Sequence, residues 1–302
     1  MDIQNPLQEL EAAVPCLLAE AQILELSGAD ACTFAHSQFS SDVHHLNIGD
    51  WQWSAWLDSN GRVRNLFALL KAGEDHLLAW LPRGQAASMS TALMPFVFRS
   101  KVRLQLLLDY GLFEADVAEY STIPNSTESW ALDLPGSESR RTVVIRKACA
   151  ESIDIDRHQH WIREDIATGL PWISEQNSAE FTSQALGLER LGAVSLKKGC
   201  YPGQEIVARL HYRGGNKRGC MRLHVDTKDV PMPGTEIKIE STPPSTGRVL
   251  YAVRKETGCE ALAVLPLNVA QHVPLTIESG ASVKLLTLAN HSSDPSHGTH
   301  LA

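Results

Sequence analysis

No C-x-x-C pair occurs in this chain, although six cysteines are present, at positions 16, 32, 149, 200, 220 and 259. That scatter argues against a zinc ribbon and against a thioredoxin-type redox pair. It also argues against a resident iron–sulfur cluster, which normally takes four cysteine ligands. The sequence contains no G-x-G-x-x-G, no G-x-x-x-x-G-K-[ST] and no G-x-S-x-G, so neither a nucleotide-binding loop nor a hydrolase elbow is indicated. No apolar run reaches the length of a membrane-spanning helix. The first residues carry acids where a targeting peptide would carry arginines, so a cytoplasmic protein with reduced thiols is expected. Positive charge is also short, 27 Lys and Arg against 35 Asp and Glu for a net charge of −8. Broad, charge-driven nucleic-acid binding wants a basic face and is not expected.

One segment concentrates chemistry. Lys197-Lys198-Gly199-Cys200-Tyr201-Pro202-Gly203-Gln204-Glu205 places a cysteine beside two lysines and before a helix start signal. Pro202 suits a first helical position, Ile206, Val207 and Leu210 share a face, Glu205 and Arg209 are spaced as an i,i+4 pair, and Gly214-Gly215 stops the helix. The dipole and the ammonium groups would both favour thiolate at Cys200. A small buried hydrophobe is the plainer alternative. From Lys197 to Arg218 six cations face one acid, which is either a solvated face or a dock for an anion.

Lys198 to Glu205, read as K-G-C-Y-P-G-Q-E, resembles the K-G-C-Y-x-G-Q-E signature of the YgfZ family, folate-binding relatives of the glycine-cleavage T-protein that support iron–sulfur proteins. Arg213-Gly214-Gly215-Asn216-Lys217-Arg218 resembles its R-G-x-N-K-R. Gly169-Leu170-Pro171, Phe181 and Gln184 resemble its G-x-P…F-x-x-Q stretch. Gly28-Ala29-Asp30, Gln38, Asp42-Val43 and the Asp58-Ser59-Asn60-Gly61-Arg62 turn resemble segments nearer its N-terminus. The likeness covers most of the first 220 residues and is weakest between about 75 and 155. Two departures stand out. The family has leucine or methionine, then Gln-Gly-Gln, where this chain has Ala35-His36-Ser37-Gln38. One folate-linked tryptophan falls near Ala21, while a second matches Trp161.

The resemblance implies a reduced folate such as tetrahydrofolate as a cofactor that is not permanently bound. Trp161, Tyr201, Gly203, Gln204 and Glu205 would lie around it, and Cys200 would carry the chemistry with Lys198 favouring its thiolate. Iron–sulfur client proteins, some of them tRNA-modifying, are the implied partners; the acidic balance leans against direct tRNA binding, and a monomer is expected. Whether a reaction is catalysed stays open. The alternative is a tetrahydrofolate-dependent aminomethyl transferase, although the T-protein pattern has an acid where this chain has Cys200.

The fold expected from periodicity is α+β, because hairpin signals alternate with short helices. Strands are expected at 22–26, around the 58–61 turn, and at 76–81, 101–107, 130–134 and 142–146. Helices are expected at 28–39, after Pro82 and at 156–168. Five short strands between 220 and 288 have the pattern of an antiparallel barrel. The resemblance adds two interleaved α/β lobes around a folate site. One lobe would hold 1–45 and 155–215 and the other 46–154, with the barrel at 216–289 and a disordered tail at 290–302. Trp51 and Trp53 alternate as a strand's core face does, which is favoured over a base-stacking platform with Trp56. His158 and His160 point to different helix faces, so no metal site is expected.

Overall fold

A computed structural model describes residues 16–18, 20–115, 129–134, 136, 141–147, 153–240, 245–269 and 273–289. The lead-in before residue 16, Cys149 and the tail from 290 lie outside the described residues. The chain enters through β1 (Cys16–Leu17), β2 (Gln22–Ser27) and α1 (Ala31–Gln38). It continues through β3 (Trp51–Leu57), β4 (Val63–Gly73), β5 (His76–Leu81), α2 (Ala86–Val97) and β6 (Arg103–Leu106). Then follow β7 (Tyr110–Ala115), β8 (Trp130–Leu134), β9 (Arg141–Lys147), α3 (Ile155–Thr168) and α4 (Gln204–Arg213).

Two antiparallel sheets form the α/β body, ordered β3-β4-β5-β2-β6 and β1-β7-β9-β8. The chain begins in the second sheet, builds the first and returns, and this is the interleaving. The lobe boundary expected at residue 45 is not a sheet boundary. β2 lies between β5 and β6, paired Gln22 with Leu81 and Leu24 with Leu106, because its Ile23, Leu24 and Leu26 must be covered on both faces. The five-stranded sheet is accordingly buried on both sides. Trp51, Trp53, Ala55 and Leu57 face a core shared with Leu112, Leu132, Ile145, Trp161 and Trp172. Trp56 and Phe67 turn the other way, toward Phe34, Phe39 and α2's Met89 and Leu93. The three tryptophans of β3 are therefore core, as alternation indicated for Trp51 and Trp53.

Six further strands close a barrel: β10 (Arg218–Val225), β11 (Glu236–Ile239), β12 (Ser245–Lys255), β13 (Gly258–Pro266), β14 (Leu275–Ile277) and β15 (Ser282–Leu286). Their order is β10-β13-β12-β11-β14-β15, with β10 returning to β15 through Arg222–Leu286 to Val225–Val283. Closure removes the open edges that would otherwise invite pairing with other chains. No helix among the described residues is long and apolar enough to cross a membrane.

Candidate functional site

The two glycines at positions 61 and 203 explain how the K-G-C-Y-P-G-Q-E segment is seated. Asp58 Oδ1 accepts the N–H groups of Asn60 and Arg62, each at 2.9 Å, which tightens the β3–β4 turn. Gly203 approaches that turn so closely that a Cβ would lie 2.5 Å from Asp58 O and 2.6 Å from Gly61 Cα. Its φ of +79° is also one that only glycine adopts freely. Gly61 in return has Ile206 against it. The Asp58–Arg62 turn and the Cys200 segment, some 140 positions apart in sequence, are thus one packed unit. Gly203 is placed by backbone packing against that turn.

The same contact moves the helix start. α4 begins at Gln204 with Gly203 as its N-cap, not at Pro202. Cys200 then lies three residues outside the cap, and a dipole's influence fades within about one turn. The expected Glu205–Arg209 ion pair is not made among the described residues. Glu205 is exposed on the first turn, and the Gln204 side chain is used internally, donating to Lys198 O at 3.2 Å.

Lys198 holds the segment from its other side. Its ammonium is buried and donates to the carbonyls of His36, Phe39 (2.5 Å) and Ser41 (2.8 Å). These carbonyls lie at and just beyond the C-terminal end of α1, where unpaired C=O groups and the negative end of the dipole favour a cation. All three donors of the ammonium are engaged, so Lys198 ties the segment to α1. Burial lowers its pKa to about 8. Ser195 supports the same turn, its Oγ accepting the Lys198 N–H at 3.2 Å.

Cys200 itself is exposed. Beside it the Tyr201 ring is buried, 5.1 Å from the Lys198 ammonium, and its hydroxyl is buried without a hydrogen-bond partner among the described residues. Burial, helped by Glu189, pushes that hydroxyl's pKa up to about 12. An unpartnered buried hydroxyl costs about 1–3 kcal/mol, which a ligand accepting its proton in a hydrogen bond would recover.

Trp161 offers no such opening. Its ring is 3% exposed, with the Arg141 guanidinium 4.2 Å from its centre. Arg141 in turn pairs with Asp165 at 2.8 Å, and Asp165 accepts the Trp172 indole N–H at 2.9 Å. A stacked pteridine would need a free ring face, and here the core covers it. Ala21 packs against the same core.

His36 was not singled out as a site residue, although it replaces the first glutamine of the family's Gln-Gly-Gln. Its Nε2 lies beside Gly199, its ring stacks on His44 at 4.0 Å, and its Nδ1 is 3.4 Å from Asp42 Oδ1. Burial first, and then the Lys198 charge, lowers its pKa to about 4. The departure from the family pattern was the available signal. No three His, Cys, Asp or Glu side chains are grouped as metal ligands among the described residues.

Three comparisons bear on this geometry. No protein-family model matches the chain. The "tRNA-modifying protein YgfZ" of Escherichia coli O127:H6 (strain E2348/69 / EPEC) is 29% identical over 269 residues, covering 80% of this chain and 82% of its own. The protein of the same name from Shigella boydii serotype 18 (strain CDC 3083-94 / BS512) matches equally. The chain is similar to the YgfZ proteins over four fifths of its length. The glycine cleavage system aminomethyltransferase T from Bartonella henselae has the same fold, with a TM-score of 0.70 at 14% identity over 90% of this chain and 84% of that one. The YgfZ likeness thus accompanies an aminomethyltransferase-like architecture of two interleaved α/β lobes and a barrel.

Proposed function

We propose that this chain is a folate-binding accessory protein that supports the assembly or maintenance of iron–sulfur enzymes, including tRNA-modifying ones, and that Cys200 is its reactive group. The observation that carries the reading is the presentation of Cys200: an exposed thiol on a segment clamped on both sides, by Lys198 to α1 and by Gly203 to the Asp58–Arg62 turn. The relatives named tRNA-modifying proteins and the T-protein-like fold support the setting. A soft sulfur suits iron or redox chemistry, whereas a carboxylate suits orienting an amine or a pterin proton.

The residues fit a folate in part. The unpartnered Tyr201 hydroxyl and the exposed Glu205 carboxylate are polar groups that a pterin could engage; the covered ring of Trp161 is not a stacking surface. A reduced folate is therefore expected to bind without help from Trp161. Titration calorimetry with tetrahydrofolate tests this, beside an assay of methylene transfer from an aminomethyl-lipoyl carrier. Heat of binding with a silent transfer assay supports the reading. Robust transfer would replace it with the aminomethyl transferase, and no binding at millimolar tetrahydrofolate would remove folate from it.

A further inference from the structure

A second site lies where the α/β body meets the barrel. A cavity of about 530 Å³ opens between the Asp58–Arg62 turn, residues 180–185, the end of α4 and strands β10 and β12. Four cations line it, Arg62, Lys217, Arg218 and Arg248, against one acid, Glu180, in a chain whose net charge is −8. The guanidiniums are held in place by backbone. Arg62 donates to Glu180 O, Arg218 to Thr246 O at 3.0 Å and Arg248 to Gly234 O at 3.2 Å, with Glu236, outside the cavity lining, also 3.6 Å from Arg248. The exposed Lys217 ammonium has no side-chain partner among the described residues.

Glu180 is a poor permanent counter-ion. Arg248 approaches it at only 3.5 Å, and burial raises its carboxyl pKa despite the pull of Arg248, Arg218 and Arg62. Rigid guanidinium forks match oxyanions two oxygens at a time, and a concave, one-signed site concentrates counter-ions. The floor is apolar, from Phe181, Ala185 and Leu210, and the volume exceeds that of one small inorganic anion.

We propose that this pocket binds a small organic polyanion through two or more phosphate or carboxylate groups, with its body on the Phe181–Leu210 floor. The ligand would bridge body and barrel, since Arg62 belongs to one and Arg218 and Arg248 to the other. The site stands apart from Cys200 chemistry and does not rest on it.

The experiment is calorimetry of the full chain with two probes, inorganic pyrophosphate and γ-linked triglutamate, at low and raised salt. At least one should bind, more weakly as salt rises, and the stronger names the source of the oxyanion. Lys217→Gln, at an exposed position, should weaken binding about two- to fivefold, and Glu180→Gln, which removes the competing acid, should tighten it by a similar factor. Such opposite signs would not arise from general damage to the fold. No heat from either probe at millimolar concentration, or an affinity unchanged by both substitutions, would overturn the proposal. So would an RNA stem-loop that outcompetes both probes, since that would make the patch part of a nucleic-acid surface.

Discussion

Cys200 differs from Cys32, Cys220 and Cys259 in access. Cys259 is buried and Cys32 and Cys220 are half-buried, and burial raises the thiol pKa of all three, that of Cys220 to about 12. Iodoacetamide at neutral pH should therefore label Cys200 first among these four, as read by peptide mass; earlier labelling of Cys32 would contradict the site. His36 gives a pH signature. Its folded pKa of about 4 lies below the ordinary 6.5, so the unfolded chain binds more protons between those values and stability falls as pH drops through that window. His36→Gln, which installs the glutamine of the resembled family, should remove about 1–2 kcal/mol of that loss once solvent screening is allowed for. Denaturant titrations of both proteins at pH 7 and pH 4 measure the difference, and parallel losses would refute it. Trp161→Ala should cost about 3–5 kcal/mol of stability, as truncation of a buried aromatic does. A variant that keeps its stability and loses folate binding would restore the tryptophan to the ligand site.

At the scale of elements, strands were legible where alternation ran long enough. β3 and β4 announced themselves through Trp51, Trp53 and the Asp58–Gly61 turn, and α3 through its apolar spacing. β14 has three residues, too few for a period, and β7 has a glycine at its second position with no turn pair to mark it. The start of α4 was misplaced for a different reason. Pro202 satisfies a local rule, but the approach of Gly203 to Gly61 is tertiary, and it sets the left-handed conformation that begins the helix one turn beyond Cys200. Lys198 was legible as a residue of the motif, yet its three carbonyl partners come from residues 36–41, far off in sequence. Gly203→Ala should destabilise the protein by about 2–5 kcal/mol, combining the left-handed backbone with contacts below 3 Å. Thermal or urea unfolding reads this directly, and a change within experimental scatter would mean that the turn and the segment are not packed as described.

Across the whole molecule, barrel and body join through a shared core and through Asn177 and Tyr251, whose hydroxyl donates to Leu170 O at 2.6 Å, while the Asp58–Arg62 turn touches the Cys200 segment on one side and lines the cationic cavity on the other. The interleaving of the sheets could not be read from periodicity, because β1 pairs with β7 across almost a hundred residues. The function proposed above has the clamped, exposed thiol of Cys200 serve iron–sulfur enzymes. Its most direct measurement is rescue of a cluster-dependent tRNA methylthiolation in cells lacking their own YgfZ-type protein, by wild type and by Cys200→Ser expressed at equal levels. The account predicts rescue by the wild type and loss of it in the serine variant; full rescue by Cys200→Ser, or none by the wild type, would contradict it.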